Sequence, residues 1–207
     1  MKKGLVLEGG AMRGLFTCGV LDVLMEQGIR FDGAAGISAG AAFGCNFKSG
    51  QIGRPLRYNK KYCSDPRYCS IRSLIRTGDL YGADFCYREL PDELDVFDRK
   101  AFAENPMEFY AGATDVETGA CVYHLCRDGS DLDFRWLRAS ASMPVVSRPV
   151  EIDGRFTWMA ELRTRCRISG RSWAPTAGTC PRYIPSPGSC TWPVRWCAPG
   201  CCCWEKW

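Results

Sequence analysis

Gly36-Ile37-Ser38-Ala39-Gly40 sets a serine between two glycines, with an apolar stretch before it and small residues after it. A serine at the tip of a sharp strand-to-helix turn has its hydroxyl pushed into the open. The flanking positions must be glycine because the tight backbone leaves no room for β-carbons. Such an elbow does nucleophilic chemistry: attack on an ester carbonyl through an acyl-serine. Ser38 is the candidate nucleophile, framed by Gly36, Ile37, Ala39 and Gly40. The competing reading is a glycine-rich turn in which Ser38 only caps a helix.

A second stretch supplies what the first lacks. Gly4 to Gly14 reads as a buried strand (Leu5-Val6-Leu7), a glycine loop, then a helix in which Leu15, Cys18, Val20, Leu21 and Leu24 recur at helical spacing. Amides of a glycine loop at a helix N-terminus face an anion. Gly9, Gly10, Ala11, Met12, Arg13 and Gly14 are therefore candidates for the hole that stabilises the oxyanion formed when Ser38 attacks. A dinucleotide or phosphate loop competes for the same residues. Ala11 replaces the central glycine of that fingerprint, however, and no Gly-Lys-Ser/Thr follows.

These two motifs, Glu8-Gly9-Gly10-Ala11-Met12-Arg13-Gly14 and Gly36-Ile37-Ser38-Ala39-Gly40 about one βα unit later, resemble the patatin-like phospholipases, the bacterial branch in particular. Ala111 to Gly119, Arg138 to Pro144 and Pro149 to Gly154 look like later landmarks of that family. The resemblance runs from Lys3 to about Arg155. It implies a three-layer αβα sandwich with a mostly parallel central sheet, and a lipid acyl hydrolase using a Ser–Asp dyad with no cofactor. The family's aspartate stands in an Asp-Gly-Gly or Asp-Gly-Ala motif shortly after the last landmark, and there this chain departs. Asp153 is a substitute only in name, since by register it matches the turn before the family's final strand.

At 207 residues, 46% hydrophobic and 24% charged, the chain suits one globular domain. Its composition is uneven. Residues 1–155 carry 20 Lys+Arg against 21 Asp+Glu, whereas residues 156–207 carry 7 against 2 and hold half of the 14 cysteines, six of the seven tryptophans and no aspartate. Seven body cysteines (Cys18, Cys45, Cys63, Cys69, Cys86, Cys121 and Cys126) lack metal-ligand spacing and read as reduced, mostly buried small hydrophobes. Neither a signal peptide nor an apolar run long enough to span a bilayer is legible, so the expected setting is cytoplasmic with visits to membrane surfaces.

Arg54 to Arg76 holds seven Lys or Arg with Tyr58, Tyr62 and Tyr68 interleaved. That pattern suits either an anionic lipid surface or a solvated helix face. The body's near-neutral balance argues against nucleic acid. Met107 to Thr114 reads as a strand, Asp115 to Gly119 as a hairpin turn into Ala120–Leu125, Trp136 to Ala141 as a helix stopped by Pro144, and Val145 to Ile152 as a strand ending at Asp153-Gly154. The only histidine, His124, would complete a Ser38-based triad in the order Ser, Asp, His.

Beyond Arg155 the expected Asp-Gly is missing, yet it exists in another reading frame. Joining the last base of each codon to the first two of the next turns Trp158-Met159 into Asp and Met159-Ala160 into Gly, whatever codons are used. A frameshift near Arg155 would leave residues 156–207 as out-of-frame translation without a native fold, and would explain their Cys/Trp/Arg/Pro mixture. Reading Cys197, Cys201, Cys202 and Cys203 as a metal site is the alternative, weakened because adjacent cysteines make poor tetrahedral ligands. Three classes follow: a lipid acyl hydrolase impaired by loss of its acid, a non-catalytic lipid-binding relative, and a nucleotide-binding α/β module. Oligomeric state leaves no trace in the residues.

Overall fold

The computed structural model describes residues 2–159. β1 (Gly4–Leu7) passes through a single tight turn at Ala11–Arg13 into α1 (Gly14–Glu26), which ends where Gly28 turns left-handed at φ +66°. β2 (Gly33–Ile37) leads directly into α2 (Ala39–Lys48). Then come α3 (Arg54–Tyr62), α4 (Ile71–Thr77), a wide helical segment over Phe85–Leu94 and α5 (Arg99–Glu104). β3 (Glu108–Asp115), β4 (Cys121–Cys126), α6 (Asp131–Ala141), β5 (Val150–Ile152) and β6 (Arg155–Met159) complete the order.

β1, β2 and β3 form a parallel core, with Leu7 opposite Gly36 and Ile37 opposite Gly112. β4 runs antiparallel along one edge of β3, with Ala113 opposite Val122. β6 is also antiparallel to β3, with Ala113 opposite Met159. A strand has two edges, and one edge holds one partner at a given residue. β6 therefore takes over the edge that β2 leaves after Ile37, and its Met159 end meets the end of β2. The α/β class read from the sequence is thus what folds.

Period-two alternation explains the layering. Leu7, Ala34, Phe109, Ala111 and Ala113 face one way and are buried together with Leu21 of α1, Cys45 and Phe47 of α2, and Phe134 and Leu137 of α6. Ile37 and Cys121 face the other way in a separate small cluster. β2 is buried at every residue. Its Gly-Ala-Ala-Gly run keeps the strand thin enough for α2 to lie close.

Several expectations need correction. Val20 is on the exposed side of α1, not the buried one, and Val6 is exposed because β1 is an outer strand of the described sheet. Val145 to Pro149 is a loop, so the strand begins only at Val150, and α6 begins at Asp131 rather than Trp136. The body also extends past Arg155. Phe156 to Met159 belong to β6, with Thr157 and Met159 turned inward. The basic run changes most. Arg54 and the three tyrosines are buried; Tyr58, Tyr62 and Tyr68 join Phe43 and Phe85 in a second core cluster. Arg54 is held by the Asp95 backbone carbonyl and carboxylate, 41 residues away, and by Asn46 Oδ1 at 2.9 Å. Cys63 is exposed, while Cys18, Cys45, Cys121 and Cys126 are buried; burial pushes the Cys18 and Cys45 thiols up to about 12.

Asp133 ties α6 to the end of β4. One carboxylate oxygen accepts the amides of Arg127, Asp128 and Gly129 at 2.9, 3.1 and 2.9 Å, and the other meets His124 Nε2 at 2.8 Å. Burial alone would raise its pKa, but the bonds from His124 and these amides outweigh it and hold the carboxyl below its ordinary value. Asp133→Ala should cost about 3 kcal/mol in urea unfolding, because the amides of Arg127, Asp128 and the buried Gly129 all lose their acceptor. Since the folded pKa is depressed, this contribution is present above a pH of about 4 and fades as pH falls through the lower folded value, so the wild-type and variant curves should converge in acid.

Candidate active site

Ser38 sits between β2 and α2 at φ 53°, ψ −122°. A non-glycine residue rarely adopts this conformation, which costs about 1–3 kcal/mol. Its side chain makes no capping bond to α2. That observation removes the helix-cap reading, because a capping serine would be extended and would accept an amide of the first turn.

The glycines of the motif are dictated by close approach. A β-carbon on Gly40 would lie 2.2 Å from the Leu7 carbonyl oxygen and 2.8 Å from that of Glu8; one on Gly36 would lie 2.5 Å from the Gly40 carbonyl. The first turn of α2 thus presses on the chain leaving β1. A β-carbon on Gly14 would meet the Ala39 β-carbon at 3.0 Å. α2 therefore meets the end of β1 at Gly40 through backbone, and the end of the loop at Gly14 through the Ala39 and Phe43 side chains.

Within the loop, Ala11 takes φ 47°, and it is one of four described non-glycine residues with positive φ, Ser38 being another. Arg13 donates its amide to the Gly10 carbonyl at 3.0 Å. Gly9 and Gly10 are half-buried, and Ala11, Met12 and Arg13 are exposed while Gly14 is buried. The first amides of a helical turn have no acceptor within the helix. In the Ala11–Arg13 turn the Arg13 amide is taken up by the Gly10 carbonyl.

Ser38 itself is recessed rather than open, with 8% of its surface exposed, contrary to the sequence expectation of a hydroxyl pushed into solvent. The cause is α6. Ser140, fully buried, accepts the Ser38 amide through its hydroxyl at 2.9 Å and holds the helix end against the elbow. Ser142 then accepts the Met159 amide at 3.0 Å on its carbonyl. These two bonds chain the elbow, α6 and the end of β6 together. Ser140 and Ser142 were legible in the Arg138–Pro144 landmark, though not their roles.

The proposed acid partners fall elsewhere. Asp153 is an exposed residue of the β5–β6 turn, with φ 51°. Met159 is level with the elbow, and four strand steps, roughly 13 Å, separate it from Arg155 at the base of that turn. His124 lies on β4, across β3 from β2, stacked on Trp136 with ring centroids 5.0 Å apart and bonded to Asp133. It does not join Ser38, so the triad reading is overturned. His124, Cys126 and Asp133 place their ligand atoms within 4.8 Å of one another. Asp133 is already saturated by amides and His124, so the group reads as a structural tie. Cys197, Cys201, Cys202 and Cys203 lie outside the described residues.

A family model described as Patatin-like phospholipase matches residues 5–162. The chain is 32% identical over 149 residues to "Uncharacterized protein YjjU" of Escherichia coli (strain K12), a match covering 68% of this chain and 40% of that protein. It is 28% identical over 151 residues to "Uncharacterized NTE family protein Mb1092c" of Mycobacterium bovis and to "Uncharacterized NTE family protein Rv1063c" of Mycobacterium tuberculosis, covering 73% of this chain and 40% of each relative. The chain therefore spans about 40% of the length of these curated relatives.

Strain at the elbow has a measurable signature. Glycine is ordinarily the less stable choice, yet Ser38→Gly should be more stable than Ser38→Ala by about 1–2 kcal/mol, because only glycine relieves φ 53°. Gly40→Ala should lose about 3 kcal/mol, as its methyl has no space against the Leu7 carbonyl. Thermal unfolding of the three variants checks both.

Proposed function

The chain belongs to the patatin-like phospholipase family, and from that membership we propose that Ser38 is the nucleophile of a lipid acyl hydrolase, impaired in this chain for want of its acid. The observation that carries the reading is the strained, uncapped Ser38 at the head of α2, whose first turn lies against Leu7, Glu8 and Gly14 at the two ends of the glycine loop. In the reaction, Ser38 Oγ bonds to the ester carbonyl carbon while its proton passes to a base. The oxyanion is held by amides of the Gly9–Gly14 loop. Collapse expels the alcohol, which takes the proton, and leaves an acyl-serine; water then attacks that ester, releasing the fatty acid and restoring the serine.

The base is the missing piece. Among the described residues no carboxylate is bonded to Ser38, and the family's Asp-Gly is read only in the shifted frame, where Trp158-Met159-Ala160 stands. β6 supports that assignment, since its Met159 end takes over the β3 edge beside Ile37. We place the break in frame near Arg155 and treat residues 156–207 as its product, the β6 residues 156–159 included.

With the acid gone, the serine is a poor nucleophile, and only a residue of rate from the amide loop survives. The purified chain should hydrolyse p-nitrophenyl butyrate close to background. A version carrying the shifted-frame reading from Thr157 onward should be at least about 1,000-fold faster, with the gain lost in Ser38→Ala. Robust Ser38-dependent turnover by the chain as written, or none by the restored version, contradicts the proposal.

A further inference from the structure

α4 is built the wrong way round for a surface helix. Ile71 and Ile75, one turn apart, are 71% and 83% exposed. Arg72 and Arg76, the next residues in each turn, are exposed and form no ion pair with any described residue. An apolar ridge thus runs beside a row of unneutralised guanidinium groups. Those arginines, with Arg67, Ser70, Ser73 and Thr77 and the acids Asp84 and Glu89, line a cleft of about 420 Å³ between α4 and the start of the Phe85–Leu94 segment. The cleft shares no residue with the elbow or the glycine loop, so it is not the ester site. Arg67 is already engaged by Asp65 and Glu89 at 2.8 and 2.6 Å, leaving Arg72 and Arg76 as the free cations.

The helix is fixed to the rim of the active site. Just beyond its end, the Leu80 amide donates to the Val146 carbonyl at 2.8 Å. The Asp79 carboxylate accepts the Arg148 amide at 2.9 Å and Arg138 of α6 at 3.3 Å. Ser140, half a turn further along α6, holds the Ser38 amide. In the bonded loop, Val145 is 93% exposed at φ 75°, a conformation β-branched residues scarcely ever adopt. Such strain persists only where surrounding bonds enforce it.

We propose that α4 and the Val145 loop are a docking face for an anionic phospholipid membrane, with Ile71, Ile75 and Val145 entering the acyl boundary and Arg72 and Arg76 binding lipid phosphates. The charge pattern selects this occupant. Guanidinium groups grip phosphate oxygens in pairs, and exposed aliphatic side chains gain by leaving water beside them. No aromatic ring on α4 offers a base a stacking platform, as single-stranded nucleic acid would need. The face is smaller than the Arg54–Arg76 stretch suggested, because Arg54 and the tyrosines are buried in the core. Its benefit, delivery of lipid to Ser38, rests on the hydrolase reading; the binding itself does not.

Co-sedimentation of the full chain with vesicles of phosphatidylcholine, with and without phosphatidylglycerol, tests the proposal. Binding should require the anionic lipid. Arg72→Gln/Arg76→Gln should weaken it by about 5-fold per arginine, and Ile71→Ser/Ile75→Ser by about 10-fold. Lys60→Gln/Lys61→Gln on α3 should bind as the parent does. Binding that ignores the α4 changes, or that falls equally with the lysine pair, overturns the proposal. So does displacement by free glycerol phosphate with no effect of the isoleucines, which would mark a soluble-phosphate site instead. The same measurements in Ser38→Ala should be unaltered. Vesicle binding without ester turnover in the frame-restored version would refute the hydrolase alone, and turnover without vesicle binding would refute the docking face alone.

Discussion

Everything at the functional end of this protein depends on one steric fact: the backbone of α2 at Gly40 lies where no side chain fits against the carbonyl groups leaving β1. That contact fixes the end of β1, the end of β2 and the start of α2 as one body. Ser38 is caught in the middle and has no relaxed conformation open to it. The parallel register of β1, β2 and β3 supplies the rigidity that keeps the serine at φ 53°, since relaxing it would shift pairs such as Leu7–Gly36 that lie in the buried core. Strain is thus sustained by packing rather than by any bond to the serine hydroxyl.

A second constraint is topological. β2 and β6 share one edge of β3, end to end, so the Met159 end of β6 stands beside the end of β2 that leads into Ser38. Ser140 and Ser142 reinforce this by bonding one helix end to both strands. The arrangement gives a physical reason why a change of reading frame just before this point would be costly. It would spare the fold's parallel core, its glycine loop and its elbow, and remove the chemistry.

Much of this was legible in the sequence, for identifiable reasons. Glycines with no alternative at Gly36 and Gly40, short apolar runs such as Leu5–Leu7, and the Asp115–Gly119 turn carry local signals that need no knowledge of the rest of the chain. What escaped was decided by side-chain partners that the local pattern does not reveal. Arg54 reads as surface charge until Asp95 and Asn46 are known to surround it, and Tyr68 reads as interfacial until its hydroxyl is seen donating to Asn59 Oδ1 at 2.5 Å. Val145–Pro149 looks like strand by composition, but Asp79 and Leu80 hold it as a loop. The recess of Ser38 was equally hidden, because Ser140 is 102 residues away.

The central claim is that Ser38 and the Ala11–Arg13 amides form one site. The most direct measurement is an experimental structure of the frame-restored version after exposure to a fluorophosphonate. The account predicts phosphorus bonded to Ser38 Oγ, the serine still near φ 53°, and a phosphonyl oxygen accepting amides of the Ala11–Arg13 turn. A phosphonate bonded elsewhere, or on Ser38 with its oxygen turned away from that loop, would contradict it.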